Sequence, residues 1–143
     1  MGHSINRFKE GRLDANDGVI VVWIRLILQQ IDSLPAKPSW LSGLYDEWIE
    51  QAELDLSGAI NLDLEELLTD AEKIGTVRNL SLKAIEKLRA QGDFLSKDYL
   101  NELTKSTFES HYTRNVETAI FIRFGEAFID LLDGKIRGYF AHS

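Results

Sequence analysis

The sequence predicts an all-α chain, an irregular single-domain bundle of five or six helices. Every long periodic segment fits the helical repeat of about 3.6 residues better than the two-residue repeat of a strand. Capping residues and helix breakers stand at the joints between those segments. At 143 residues, 44% apolar and 27% charged, the chain is long enough for one core and too apolar to remain disordered. Residues 1–143 are therefore expected to form one domain, with no solenoid repeat or low-complexity tract.

Met1 to Asp17 is polar and charged, without an apolar core segment. It is expected to be a mobile N-terminal segment, neither a secretory signal nor a Gly2-type lipid anchor. The longest apolar stretch, Val19 to Leu28, is interrupted by Arg25 and falls far short of a bilayer span. Cytoplasmic localisation without membrane attachment is the expectation.

The first helix is expected from about Gly18 to Ser33, capped by Asn16 or Asp17. Val19, Ile20, Val21, Val22 and Ile24 would suit a strand, but Arg25, Gln29, Asp32 and Ser33 gather on one narrow helical face. Pro35 and Pro38 then break the chain, and Ser39 can cap a second helix. There Leu41, Leu44, Tyr45, Trp48, Ile49 and Ala52 form an apolar stripe opposite Asp46, Glu47, Glu50 and Glu53. Ser57-Gly58 marks a turn. Asp63 with Glu66, and Thr69 with Glu72, resemble capping boxes opening a short helix (63–68) and a longer one (70–90).

The longer helix turns Ile74, Val77, Ser81, Ala84, Ile85 and Leu88 inward and ends before Gly92. Ser96 can cap a helix carrying Tyr99, Leu100 and Leu103, while Ser106 to Asn115 reads equally as loop or helical turn. Val116 to Asp133 is nearly all apolar apart from a stripe of Arg123, Glu126, Asp130 and Asp133, and is expected to be the central helix. Gly134 ends it, leaving residues 135–143 as a tail whose Tyr139 and Phe140 can fold back.

Several chemistries find no residues to carry them. The chain has no cysteine, and His3 and His142 lie near its ends. His111, with Glu109, Tyr112 and Arg114 around it, lacks the spacing that places metal ligands on one helical face. Neither a Gly-x-Ser-x-Gly elbow nor a phosphate-cradling glycine loop occurs. Glu65 with Glu66 reads as a helix start rather than an acid–base pair, because acids in a first turn favour the helix dipole. No catalytic residue, cofactor or metal is assigned.

Charge distribution departs from the ordinary. From Pro38 to Glu72 the chain has no Lys, Arg or His and ten acids, Asp46, Glu47, Glu50, Glu53, Asp55, Asp63, Glu65, Glu66, Asp70 and Glu72. The rest of the chain carries more basic than acidic residues, so the net charge of −7 arises in this segment. A folded acidic surface repels nucleic acid and attracts basic proteins or cations; the same acids could equally serve only to solubilise two helices. Trp48 belongs to the apolar stripe, whereas Trp40 and Tyr45 stand at its edge, where amphipathic rings anchor partners. Candidate partner-binding residues are thus Trp40, Tyr45, Asp46, Glu47, Glu50, Glu53, Asp55, Asp63 and Glu66.

The segments Ser39-Trp40-Leu41 through Trp48-Ile49-Glu50 and Leu62-Asp63-Leu64 resemble the small acidic helical immunity proteins of bacterial toxin systems, including contact-dependent growth inhibition. The resemblance implies a cytoplasmic inhibitor that covers the active site of a toxin domain, often a basic nuclease. A helical adaptor or regulatory subunit fits the same acidic surface. An enzyme whose site is assembled from residues distant in sequence stays open as a third class.

Overall fold

The computed structural model describes residues 2–53, 59–104 and 112–135. Among them are six helices and two two-stranded sheets. The chain is thus largely helical, as expected, but not purely so. Asp55, the Ser57-Gly58 turn, His111, and the tail with Tyr139 and Phe140 lie outside the described residues.

The main departure is at the N-terminus. In place of a mobile lead-in, β1 (His3–Phe8) and β2 (Gly11–Asn16) form an antiparallel hairpin. Side chains alternate along it, with Ser4, Asn6, Phe8, Leu13 and Ala15 buried and His3, Ile5 and Arg7 exposed. Only Phe8, Leu13 and Ala15 of the inward set are apolar, so the hairpin carries too weak a hydrophobic run to register as a strand in sequence. Lys9, at φ 54°, takes the left-handed conformation that the tight turn demands of a non-glycine residue.

Asn16 caps α1 (Asp17–Asp32), its side chain accepting from the Gly18 N–H at 2.7 Å. Almost all of α1 is buried, and it touches α2 (Ser39–Glu53), α4 (Ala71–Ala90), α5 (Lys97–Thr104) and α6 (Thr118–Leu132). The hub is therefore α1 rather than α6. The physical reason is the width of the polar stripe: α6 keeps Arg123, Glu126 and Asp130 exposed along its length, whereas α1 exposes polar groups mainly near its C-terminal end.

The short α3 (Leu64–Leu67) begins differently from the capping box expected of Asp63 and Glu66. Asp63 lies in the left-handed region at φ 51° and makes no side-chain cap. Likewise Asp70, not Thr69, caps α4, accepting from the Lys73 N–H at 2.9 Å. Ser96 caps α5 through the Tyr99 N–H, as its position predicts. Two further strands, β3 (Phe94–Leu95) and β4 (Val116–Glu117), pair antiparallel and lead into α6.

The centre of the core is aromatic. Trp23 of α1 meets Phe124 and Phe128 of α6 at ring separations of 5.9 and 5.7 Å, and Trp48 of α2 meets Phe128 edge-on at 6.3 Å. The benzo edge of the Trp23 indole presses on Gly125, where an added methyl would come within 2.6 Å of the ring. Gly125→Ala is expected to destabilise by about 1–3 kcal/mol, the usual cost of overpacking a rigid site. Gly43→Ala on α2, which meets open space, is expected to be neutral or to stabilise by up to about 1 kcal/mol. Thermal or denaturant melts of the two variants check the contrast.

Candidate functional site

Residues 60–62 form an extended strap between α2 and α3, clamped by side chains from two directions. From β1, Asn6 accepts from the Leu62 N–H at 2.7 Å and donates to the Ile60 carbonyl at 3.3 Å. Ser4, two residues earlier on the same inward face, accepts from the Ile60 N–H at 3.0 Å and donates to the buried Asp17 carboxylate. From α2, the Trp48 indole donates to the Leu62 carbonyl at 2.9 Å, and Gln51 accepts from the Asn61 N–H at 2.7 Å. The strap thus satisfies its backbone without joining a sheet.

This clamp positions the acids. At about 100° per residue, Asp46, Glu50 and Glu53 share the side of α2 opposite the buried Leu41, Leu44, Trp48 and Ala52. Glu47 and Gln51 lie on the flank facing the strap. Asp63 follows directly from the strap, its N–H donating to the Asn61 side chain at 2.9 Å, and its carboxylate stands beside Glu47. Loss of water raises the Glu47 pKa above its ordinary value, and the negative charges of Asp63 and Glu50 raise it further. Glu66 is exposed on α3, and Glu65 accepts from the Lys9 backbone N–H at 2.7 Å, tying α3 to the hairpin turn.

The aromatic candidates do not join this acidic surface as a unit. Tyr45 is half-buried on the other flank of α2, where its hydroxyl donates to Asp32 of α1 at 3.2 Å. Burial and the Asp32 carboxylate both raise its pKa. Trp40 is half-buried near the start of α2, with the Lys73 ammonium 5.9 Å from its ring centroid. The structure therefore gathers Asp46, Glu47, Glu50, Glu53 and Asp63, with Glu66 on the adjoining helix, and leaves Tyr45 on the far side.

Asp46, Glu47, Glu50, Glu53, Asp63 and Glu66 have no ion-pair partner among the described residues. Two acids elsewhere do pair: Arg78 binds Asp133 at 2.9 Å and Arg89 meets Glu126 at 3.4 Å. A groove of about 410 Å³ opens beside the strap, lined by Ser4, Ile5 and Arg7 of β1 and by Asp63, Glu65 and Glu66 opposite. Sequence reasoning missed the Ile5 and Arg7 wall. No apolar alternation marked it, because the polar Ser4 and Asn6 face inward while the apolar Ile5 faces out.

In comparisons with protein-family models, with curated proteins and with solved structures, no match was found. No helix among the described residues is long and apolar enough to cross a membrane, and no group of three or more metal-ligating side chains occurs among them.

Two outcomes are expected. Asn6→Ala strands the Leu62 N–H and the Ile60 carbonyl in a buried site, and should cost about 2 kcal/mol or more in a denaturant melt, given about 1–3 kcal/mol per unsatisfied buried group. The Glu47 carboxyl should titrate above the ordinary glutamate range in a carboxyl NMR titration, and Asp63→Asn should lower it without restoring it, because the loss of water remains. Since folding raises this pKa, Glu47's contribution to stability is complete at pH below the ordinary glutamate value and is lost as pH rises through its titration in the folded protein.

Proposed function

We propose that the chain is a binding protein whose acidic α2 face recognises a positively charged protein surface. More particularly, we read it as a cytoplasmic immunity protein that neutralises a basic toxin domain, a nuclease, by covering its active site. The observation carrying this reading is the set of carboxylates Asp46, Glu47, Glu50, Glu53, Asp63 and Glu66, none of which has an ion-pair partner among the described residues. The Glu47 carboxyl is held against its own charge by Asp63 and Glu50, and an external cation would relieve that repulsion. A nuclease must present Lys and Arg to phosphate, and those groups are what a rigid row of carboxylates can engage.

Nucleic acid is repelled by the same field, so it is not a partner in this reading. No catalytic residue and no cofactor are assigned. Charge attraction supplies mainly association rate. Of the aromatic rings, Trp40 borders α2 on the same flank as Glu47 and is the better placed to slow dissociation, with Lys73 moving off its face.

An immunity gene is expected to follow directly that of a large toxin, whose C-terminal domain is then the probe. Changing Asp46, Glu50 and Glu53 together to Lys is expected to weaken binding about tenfold or more at low salt, which is about 1.4 kcal/mol, and to abolish protection in co-expression, with the melt unchanged. Affinity of the parent chain should fall as salt rises, since exposed charges are screened over roughly 8 Å at physiological ionic strength. It should also rise with pH through the titration of Glu47, because a bound cation favours the ionised carboxyl. Full protection by the folded triple variant would show that the acidic face is only solvated surface.

A further inference from the structure

The hairpin has a fixed hydrogen-bonding phase. Its two-residue turn closes on the Phe8↔Gly11 pair, and the Asp17 N–H donates to the Gly2 carbonyl at 3.0 Å in the same register. In an antiparallel ladder, bonded and non-bonded pairs alternate. Gly2, Ser4, Asn6 and Phe8 therefore turn their backbone groups toward β2, while His3, Ile5 and Arg7 turn theirs away. Among the described residues no strand pairs with that outer edge.

The groove lies along this edge. Its lining includes the outward residues Ile5 and Arg7, the inward Ser4, and the strap beneath, but no residue of β2. A cleft touching both faces of one strand and none of its neighbour follows the strand's free side. Edges of this kind are commonly blunted by proline, by a bulge or by a covering segment. Here β1 contains no proline and pairs residue for residue with β2; α3 packs beside it and forms the far wall of the groove, while Ile5 at the middle of the strand is 46% exposed.

We infer that the outer edge of β1 is a strand-docking site. An extended segment of the partner, carrying Lys or Arg at alternate positions, adds to the hairpin as a third strand. The inference rests on the reading of the chain as a binder of a basic protein and deepens it. Backbone groups of Ile5 and Arg7 supply the new ladder, and alternate side chains of the docked segment reach the wall of Asp63, Glu65 and Glu66. The charge of that wall selects the occupant. Three carboxylates face a single guanidinium, Arg7, so a basic strand gains where an acidic one is repelled. The docked strand and the α2 face are joined through Asp63, which lines the groove and stands beside Glu47.

The test uses the full chain and a short peptide alternating lysine and valine as probe, followed by NMR. On binding, the amides of Ile5 and Arg7 should become protected from exchange, while those of Asn6 and Phe8 are protected before and after. A peptide N-methylated at the residues facing β1 should bind about tenfold more weakly or worse, and a glutamate–valine peptide should not bind. Ile5→Pro removes an outward donor without touching the β1–β2 ladder, and should weaken the parent peptide to a similar degree. The N-methylated peptide keeps the test valid if that variant fails to fold, because it leaves the protein unaltered.

Equal binding of the parent and N-methylated peptides, protection outside β1, pairing of two copies through β1, or no binding of the basic peptide would each overturn the inference. Loss of protection by the α2 lysine variant with full protection by a folded Ile5→Pro variant would keep the acidic-face reading and remove this one. Peptide docking at β1 in a chain whose α2 lysine variant still protects would do the reverse.

Discussion

The arrangement of this protein's charged surface depends on the clamping of one short strap. Ile60 to Leu62 runs between α2 and the hairpin with its backbone bonded to Ser4, Asn6, Trp48 and Gln51. A buried donor or acceptor left unmet costs about 1–3 kcal/mol, so the strap has few alternatives once the hairpin and α2 are packed. Held this way, it delivers Asp63 to Glu47 and sets α3 beside the hairpin turn. The electrostatics of the acidic face are thus a consequence of neutral hydrogen bonds made beneath it. Trp48 serves both sides of this arrangement, its ring packing on Phe128 in the core while its N–H holds Leu62.

Behind the strap, the core fixes where α2 can lie. Trp23, Phe124, Phe128 and Trp48 form a continuous aromatic seam from α1 through α6 to α2, and the absence of a side chain at Gly125 lets the Trp23 ring settle against α6. Close packing of rigid rings leaves little room for one helix to shift against another. The acidic row is accordingly presented on a fixed frame rather than on a pliable loop.

Much of the helical frame was legible in the residues. The polar stripe of α1, the stripe of Leu41, Leu44, Trp48 and Ala52 on α2, and the terminating Gly92 and Gly134 are local signals, and local signals survive folding. Exposure of Asp46, Glu50 and Glu53 follows from the same periodicity. What escaped were features whose cause lies elsewhere in the chain. Ser4 and Asn6 are polar because they bind a segment more than fifty residues away, so the inward face of β1 lacks the apolar repeat that marks a strand. Asp63 looks like a helix cap until its strained backbone and the pull of Asn61 are seen. Tyr45 looks like a free anchor until Asp32 arrives from α1.

The alternation along β1 divides one strand into two vocabularies. Its even positions are committed to the architecture, through β2 on one side and the strap beneath. Its odd positions, His3, Ile5 and Arg7, show their side chains to the exterior and spend none of their backbone groups inside. Point substitutions at the odd positions can therefore rewrite what the strand offers outward while the interior reads the same text. A one-residue insertion in the strand would exchange the two sets, burying what was meant to be read and exposing what was meant to hold.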